Sequence, residues 1–380
     1  MKIATMLAGV LALGLAVSPL GLSSAQAEGL DFLKNVKKSE KPYKIGFSNG
    51  FIGNAWRAQH VEGVEKTAAE LKAAGIVSDV VIVNSTSGAS GQISQINSLL
   101  AQGIDALVVN PVSAEPLMPI VQRAIDSGVL VVVADNPLPM ENVLNVSLNH
   151  TQYWGIETEW LIDAIGGKGN IVAIEGLAGN TANDWRVRAR DEVLAKHPDV
   201  KLLASVPGGW DQAQAREAMA GLLAAHGSDI NGVLIQDVMS EGVIRAYKAA
   251  GAALPPLTGD YVLSYFKLWK SDPDLVSATV ANPPGIGSDS LRIAVELLEG
   301  KELDTSKLVP NPLNPDYSNT ILISQPYVVE REANTSRSWC TEETQCISLD
   351  EAMAKLDGQS DNAALDKTLS QDEVRARYFK

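Results

Sequence analysis

Continuous apolar runs of four or five residues recur along this chain, and segments with a helical spacing of apolar residues separate them. Such runs lie at residues 80–83, 106–109, 129–133, 171–174 and 232–235. Between two of them, Ile93, Ile96 and Leu99 fall on one face of a helix. A strand that is apolar on both faces has to be covered on both faces, which is typical of a parallel sheet between two layers of helices. The pattern therefore predicts an α/β fold built from doubly wound parallel sheets.

The strand and helix series is long enough for two such sheets. It begins near residue 44, restarts after residue 145 and ends with a helix at 287–298. The chain has 380 residues, whereas single domains hold roughly 100–200 residues. We therefore expect two similar α/β halves. After them come a strand candidate at 320–323 and a polar tail with a helix after Leu349.

The first 27 residues have the composition of a secretory signal peptide. Lys2 supplies the positive end, residues 3–22 are mostly apolar, and Ala25-Gln26-Ala27 fits the small-residue cleavage pattern. The mature chain would then begin near Glu28 and be exported to the periplasm. The alternative is an uncleaved membrane anchor, because the apolar run is slightly long for a signal. No Cys follows the run, so lipid attachment is not expected there.

The two cysteines, Cys340 and Cys346, both follow the predicted signal. Disulfides form and persist in exported proteins, and the short separation permits a small local loop. A metal site would need more ligands than these two, and no His lies nearby. A Cys340–Cys346 disulfide is therefore preferred over a redox or metal role.

The charge of the chain argues against one class of partner. Its formal net charge is -14 at pH 7, with a pI of about 4.8. Nucleic-acid phosphates would be repelled over most of such a surface. Nucleic acid is therefore not expected as a partner, which leaves small molecules and proteins.

Polar side chains follow most of the predicted strands. Because parallel strands end along one edge of a sheet, these side chains would face one crevice, where α/β proteins bind ligands. Each of them taken singly could instead cap a helix or form a turn. The residues at these positions are Asn49, Asn54, Asn110, Asp135, Asn136, Glu175 or the loop after it, Trp210, Asp211, Gln236, Asp237, Asp260 and Asn282.

Two tryptophans belong to the same series. Trp56 follows the strand and loop of residues 44–54, and both Trp56 and Trp210 begin helices rather than lie in their apolar stripes. The C–H faces of a sugar ring stack on indole, while its hydroxyls need amide, carboxylate and guanidinium partners. This edge of the sheets is therefore suited to a carbohydrate.

From about residue 44 to 308, the chain resembles the periplasmic sugar-binding proteins of ABC importers, of the ribose-binding type. These proteins share their fold with the ligand domain of lac-repressor-like regulators. The resemblance rests on Ile45-Gly46-Phe47-Ser48, Asn54-Ala55-Trp56-Arg57, Leu107-Val108-Val109-Asn110-Pro111, Val131-Val132-Val133-Ala134-Asp135, Gly176-Leu177-Ala178-Gly179-Asn180 leading to Arg186, Gln236-Asp237, Thr258-Gly259-Asp260 and Ala281-Asn282-Pro283-Pro284-Gly285-Ile286-Gly287.

The resemblance implies the type I periplasmic binding protein fold, in which two lobes are joined by a three-segment hinge and the sugar lies between them. The implied N-terminal lobe is 43–146 plus about 283–308, and the C-terminal lobe is 147–282 plus about 309–330. Residues 331–380 would form a C-terminal extension. The family functions without a cofactor or a metal, and we expect a monomer.

The resemblance also implies a set of ligand-binding residues. They are Asn54, Trp56, Arg57, Asn110, Asp135, Asn136, Asn149, Arg186, Trp210, Gln236, Asp237, Asp260 and Asn282. Trp56 and Arg57 stand where the ribose-binding pattern has two Phe, and Asn136 stands where an Arg usually follows the Asp. These departures leave the identity of the sugar open.

The charges in this set narrow the class of ligand. Three carboxylates, those of Asp135, Asp237 and Asp260, accompany the two guanidinium groups of Arg57 and Arg186. No positive charge is left over for an acidic ligand, and a buried unpaired charge would be costly. A neutral sugar or polyol is favoured, and a sugar acid held by both arginines is the alternative.

The resulting hypothesis is a binding component that delivers a monosaccharide or polyol to an ABC permease and its ATPase. A sugar-sensing domain for a chemoreceptor or sensor kinase is the main alternative. An exported α/β enzyme is disfavoured, because the chain has no Gly-x-Ser-x-Gly motif, no phosphate-binding Gly-Lys-Ser/Thr loop and four His without metal spacing. No helix-turn-helix precedes the first half, which argues against a repressor.

Overall fold

Fourteen strands form two seven-stranded sheets in residues 30–380, the part of the chain that the computed structural model describes. The signal peptide predicted at residues 1–27 lies outside the described residues. The strands are β1 (Tyr43–Asn49), β2 (Val77–Asn84), β3 (Ala106–Asn110), β4 (Leu130–Ala134), β5 (Leu144–Leu148), β6 (Gly169–Glu175), β7 (Val200–Pro207), β8 (Gly232–Ile235), β9 (Leu257–Thr258), β10 (Ser277–Val280), β11 (Leu308–Val309), β12 (Thr320–Ile323), β13 (Tyr327–Glu330) and β14 (Gln345–Ser348).

Each sheet is mostly parallel. The strand order is β11-β12-β5-β4-β3-β1-β2 in the first sheet and β14-β13-β10-β9-β8-β6-β7 in the second. Only the β11–β12 and β10–β13 pairs are antiparallel among these neighbours. The first sheet with its helices is called the first lobe below, and the second sheet with its helices the second lobe. The predicted fold of two doubly wound lobes is confirmed.

Helices cover both faces of the sheets, which explains the continuous apolar strands. They are α1 (Ala55–Ala73), α2 (Gly88–Ala101), α3 (Met118–Asp126), α4 (His150–Ala164), α5 (Thr181–Leu194), α6 (Gln212–His226), α7 (Ser240–Ala250), α8 (Leu263–Ser271), α9 (Ile286–Leu298), α10 (Leu349–Lys355) and α11 (Gln371–Tyr378). Val108 and Val132 belong to a hydrophobic cluster on one face, and Val109 and Val133 to a second cluster on the other. None of the helices in residues 30–380 combines the length and the apolar character needed to cross a bilayer.

Up to residue 330, three connections pass between the lobes. They lie between β5 and α4, between β10 and α9, and between β12 and β13. The second lobe was expected to include residues 309–330, but this boundary is wrong for β12. That strand pairs in parallel with β5, with Thr320 opposite Asn145 and Ile323 opposite Leu148. The third crossing therefore comes after residue 323, because β12 completes the first sheet.

The expected C-terminal extension is divided between the two lobes. β14 pairs with β13 at the edge of the second sheet, and α10 packs on α8. α11 instead packs on α9 of the first lobe. The predicted disulfide joins Cys340 to Cys346 and closes the loop that enters β14.

Asp289, in the first turn of α9, should make the stability of the protein depend on pH. Its carboxylate accepts a hydrogen bond from the Leu369 amide at 2.9 Å. Burial raises the pKa of Asp289 to about 7, and the nearby Asp366 adds to this, although the Leu369 hydrogen bond and Arg292 oppose it. The folded state therefore binds a proton that the unfolded state, with a pKa of about 3.9, has already released. The stability that the neutral, protonated Asp289 contributes is fully present below pH 4, and it is lost as the pH rises through 7.

We expect Asp289→Asn to be more stable than the parent chain at pH 8, on the order of 2 kcal/mol, and about equally stable at pH 4. An amide keeps an acceptor for Leu369 but carries no charge to bury. Urea denaturation at both pH values measures the difference. Asp79→Asn, at an exposed position of β2, is the control. A difference for Asp289→Asn that is independent of pH would contradict the prediction.

Candidate functional site

A cavity between the lobes collects side chains from the carboxyl ends of strands and from the starts of helices. The cavity is small, about 30 Å³, well below the roughly 300–1,000 Å³ found for small-molecule sites. Its lining residues are Phe51, Asn54, Trp56, Arg57 and Asp135 of the first lobe, Ala182, Arg186, Trp210, Asp237 and Val238 of the second, and Asn282 of a connecting segment.

The first-lobe wall is formed where β1 ends and α1 begins. Asn54 caps α1, and its side-chain oxygen accepts from the Arg57 amide at 2.9 Å. Trp56 and Arg57 therefore lie in the first turn of the helix. The Trp56 indole N–H donates to the Asn282 carbonyl at 2.7 Å, which ties this wall to a connecting segment.

Arg57 is a buried cation without a carboxylate partner within 4 Å among the described residues. Its Nη1 donates to Asn49 Oδ1 at 2.9 Å, and its guanidinium carbon lies 4.4 Å from the centroid of the Phe51 ring. Burial lowers the pKa of Arg57 to about 10, although Asp135 and Asp237 oppose the shift. The group is therefore still charged at neutral pH and can donate to a ligand oxygen.

Arg186 and Asp237 form a buried ion pair in the second lobe, with 2.7 Å between Nη1 and Oδ1. The other carboxylate oxygen of Asp237 accepts from the Tyr261 hydroxyl at 2.7 Å and from Asn282 Nδ2 at 3.3 Å. Burial alone would lower the pKa of Arg186, but Asp237 and other neighbouring groups outweigh it and raise the pKa above its ordinary value. Both partners are charged and are held in fixed positions.

His150, the first residue of α4, connects this pair to the opposite lobe. Its Nδ1 accepts from Arg186 Nε at 3.2 Å, so the ring proton must be on Nε2. Nε2 lies 3.6 Å from Asp135 Oδ1 of the first lobe, which is too long for a hydrogen bond. Burial and Arg186 hold the pKa of His150 well below its ordinary value. A neutral histidine therefore lies between the charged groups of the two lobes.

Two aromatic rings face each other across the cavity. Phe51 of the first lobe and Trp210 of the second are parallel, with their centroids 6.5 Å apart. Trp210 Nε1 donates to Gln236 Oε1 at 3.0 Å, which fixes the plane of the indole. At the mouth, Asn54 Nδ2 donates to the Trp210 carbonyl at 3.3 Å, so the two lobes are in direct contact.

Backbone strain is concentrated at this cavity. In residues 30–380, the non-glycine residues with positive φ are Asp135 at 64°, Trp210 at 55° and Val238 at 59°. All three line the cavity. This backbone region is unfavourable for a β-branched residue such as Val, and such strain clusters at functional sites.

Comparison with known proteins agrees with this arrangement. The sequence profile of the periplasmic binding protein domain matches residues 45–302. The chain belongs to the periplasmic binding protein family. The resemblance predicted from the sequence motifs is thereby confirmed.

Individual members of the periplasmic binding protein family match over much of their length. The xylitol-binding protein of Mycolicibacterium smegmatis is 32% identical over 254 residues, which cover 66% of this chain and 72% of that protein. The D-allose-binding periplasmic protein of Escherichia coli is 25% identical over 288 residues, or 72% of this chain and 89% of the relative. A crystal structure of an ABC transporter solute binding protein from Thermobispora bispora superposes with a TM-score of 0.72 at 26% identity, covering 88% of this chain and 94% of that one.

The structure brings together eight of the residues that the family resemblance pointed to. They are Asn54, Trp56, Arg57, Asp135, Arg186, Trp210, Asp237 and Asn282. The other five are Asn110, Asn136, Asn149, Gln236 and Asp260, and they lie outside the cavity lining. The side chains of those five residues form hydrogen bonds with other groups of the protein instead.

Two of the five support the first-lobe wall and one caps a helix. Asn136 Nδ2 donates to Asn110 Oδ1 at 2.9 Å and to the Pro111 carbonyl at 2.7 Å. Asn149 caps α4 through the Gln152 amide at 3.0 Å. These asparagines make the turn and cap contacts that compete with ligand binding at strand ends.

Gln236 and Asp260 are placed behind the second-lobe wall. Gln236 Oε1 accepts from both Trp210 and Arg186. Asp260 accepts from the Met239 and Ser240 amides at 3.1 Å each, so it satisfies the free N–H groups at the start of α7. Burial raises the pKa of Asp260 to about 7, against the lowering effect of the Ser240 hydrogen bonds.

The sequence interpretation missed several groups at the site. Phe51 could have been suspected, because it is an aromatic residue in the loop between β1 and α1. Val238 could not have been predicted, because no sequence pattern indicates that a valine adopts the left-handed backbone conformation. His150 was missed because both of its charged neighbours are distant along the chain. Residues 30–380 hold no cluster of three or more His, Cys, Asp or Glu side chains arranged for a metal ion.

Proposed function

We propose that this chain is the substrate-binding component of an ABC transporter and captures a neutral monosaccharide or polyol between its lobes. The observation that carries the proposal is the pattern of unused hydrogen-bonding atoms at the cavity. Asp135 Oδ1 and Asn282 Oδ1 are buried acceptors without a partner, and each lies on a residue that lines the cavity. A buried acceptor without a donor is costly. Hydroxyl groups of a ligand would supply the missing donors.

The charges of the lining residues support a neutral ligand. Asp260 lies outside the cavity lining, so the lining holds two carboxylates, Asp135 and Asp237, and two guanidinium groups, Arg57 and Arg186. Arg186 is already paired with Asp237. Arg57 can donate to a hydroxyl oxygen, and the parallel Phe51 and Trp210 rings offer apolar faces to the C–H groups of a sugar.

The relatives support the same class of ligand and a location outside the cytoplasm. The two named above are described as binding xylitol and D-allose, a polyol and a monosaccharide. In this proposal the chain works outside the cytoplasm as a monomer, and a permease with its ATPase receives the ligand-bound form. A ligand that contacts both lobes stabilises their closed arrangement, which is the form a permease can distinguish.

A thermal unfolding screen of the mature protein tests the proposal. The panel contains pentoses, hexoses, polyols and sugar acids, with nucleotides and amino acids as other classes. A neutral sugar or polyol at 100 times its dissociation constant should add about 2.7 kcal/mol to the free energy of unfolding. Stabilisation by a sugar acid alone would contradict the neutral ligand, and stabilisation by nucleotides or amino acids alone would contradict the carbohydrate site.

Gly176 should control the position of Trp210. A Cβ atom built on Gly176 would overlap the Trp210 indole, so the ring would have to move. We expect Gly176→Ala to weaken binding of the sugar found in the screen by about tenfold, because fitting an extra methyl group into packed space costs about 1–3 kcal/mol and here displaces a ring that lines the cavity. Calorimetric titration measures the affinity. Gly155→Ala is the control, since a Cβ there meets nothing within 4 Å. Equal affinity in both variants would contradict the predicted role.

A further inference from the structure

The chain passes between the lobes a fourth time, near its C-terminus. β14 and α10 are part of the second lobe, and α11 packs on α9 of the first lobe. Residues 356–370, called the C-terminal crossing segment here, connect α10 to α11. Both ends of this segment are therefore attached to folded elements, one in each lobe.

The middle of the C-terminal crossing segment is extended and forms hydrogen bonds along both of its edges. On one edge, Leu263 N donates to the Ala363 carbonyl and Leu365 N donates to the Tyr261 carbonyl, both at 2.9 Å. On the other edge, Ala364 N donates to Gln59 Oε1 at 2.8 Å, and Gln59 Nε2 donates to the Ala364 carbonyl at 3.2 Å. Because an extended chain directs successive backbone groups to opposite sides, residues 363–365 hold one lobe on each edge.

The next few residues attach the segment to the hinge and to the first lobe. Asp366 Oδ1 accepts from the Gly285 amide at 2.9 Å, in the connection that leads into α9. Leu369 N donates to Asp289 Oδ1 at 2.9 Å. Leu365 is hydrogen-bonded to the second lobe, and Leu369, only four positions later, is hydrogen-bonded to the first. Four residues can span at most about 14 Å, so this connection has little slack.

The two edges contact elements that also form the cavity. Gln59 follows Arg57 by two positions in α1, and the hydroxyl of Tyr261 donates to Asp237. Asn362 borders a groove together with Asn54 and Trp210 at the side of the cavity. Rotation of the lobes away from each other would therefore pull Gln59 away from the Tyr261 edge of the segment.

We propose that the C-terminal crossing segment is a tether that limits how far the two lobes separate. The Gln59 amide holds the tether in the closed arrangement, and its short length sets the widest opening. This inference concerns the motion of the lobes and does not depend on which ligand the cavity takes.

Double electron–electron resonance on the full mature chain without added sugar tests the tether. Spin labels on Ser98→Cys in α2 and Glu217→Cys in α6, both exposed, report the distance between the lobes, while Cys340 and Cys346 remain in their disulfide. Gln59→Ala removes the two bonds to Ala364. A second variant inserts Gly-Ser-Gly-Ser between the exposed Lys367 and Thr368, which lengthens the tether without removing a contact side chain.

We expect Gln59→Ala to raise the ratio of open to closed molecules roughly fivefold, as the loss of about two neutral hydrogen bonds would. The insertion should extend the longest distances in the distribution. Gln122→Ala is the matched control, because that side-chain amide makes an exposed hydrogen bond to Asp126 of its own helix, and it should match the parent chain. Thermal unfolding verifies that each variant is folded. Unchanged distance distributions in both test variants would overturn the tether.

Discussion

Arg186→Met is expected to lower the free energy of unfolding of the ligand-free protein by about 3–5 kcal/mol, as the loss of one partner from a buried ion pair does. The Asp237 carboxylate would stay buried with its Tyr261 and Asn282 hydrogen bonds but without a cation. His150 Nδ1 would also lose its donor. The same variant should lose measurable sugar binding, because the two carboxylates of Asp135 and Asp237 would then share the single cation Arg57 at the cavity. Urea denaturation and calorimetric titration give the two readings.

A second substitution distinguishes the effect of losing the Arg186 charge from the effect of losing the packing of its side chain. Adding Asp237→Asn to Arg186→Met removes the unpaired carboxylate, so part of the lost stability should return. Arg188→Met is the control within α5, because that side chain is exposed and reaches only the Pro312 carbonyl at 3.4 Å. If the double variant is no more stable than Arg186→Met, the cost does not come from the unpaired carboxylate.

Trp210→Ala is expected to weaken sugar binding by at least about 30-fold, the usual effect of removing an aromatic side chain at the centre of a desolvated site. The substitution removes the ring that faces Phe51 and one of the donors to Gln236. It also leaves an alanine at a position with φ of 55°, which keeps the backbone strain without the stacking contact. The protein should nevertheless fold, because the indole lies at the lobe interface rather than inside a sheet.

Calorimetric titration with the sugar found by the screen measures the effect of Trp210→Ala. Trp339→Ala is the matched control, because that indole lies in the tail before β14 and does not line the cavity. Circular dichroism and thermal unfolding show whether each variant is folded. Affinity that is the same for both variants would remove Trp210 from the site.

Periodicity along the chain was enough to predict most of the fold. β3 and β4 are buried on both faces, and that burial is the physical reason for their uninterrupted apolar sequence. β13, β14 and α11 were missed, because they are short and lie in a stretch where polar residues break the pattern. β12 was found as a strand but assigned to the wrong lobe, since the sequence of a strand does not specify which sheet it joins.

The sequence by itself determined the two parallel sheets and the edge at which their polar side chains collect, because apolar runs and the polar residues after them are local properties. Only the tertiary structure decided which polar residues reach the cavity. Asp237 and Asp260 both follow second-lobe strands, yet Asp237 faces Arg186 in the cavity and Asp260 bonds to the amides that begin α7. Whether a carboxylate lies in the cavity or caps a helix depends on which hydrogen-bond donors the fold brings to it. Those donors, like the Gln59 contact with Ala364, come from remote parts of the chain.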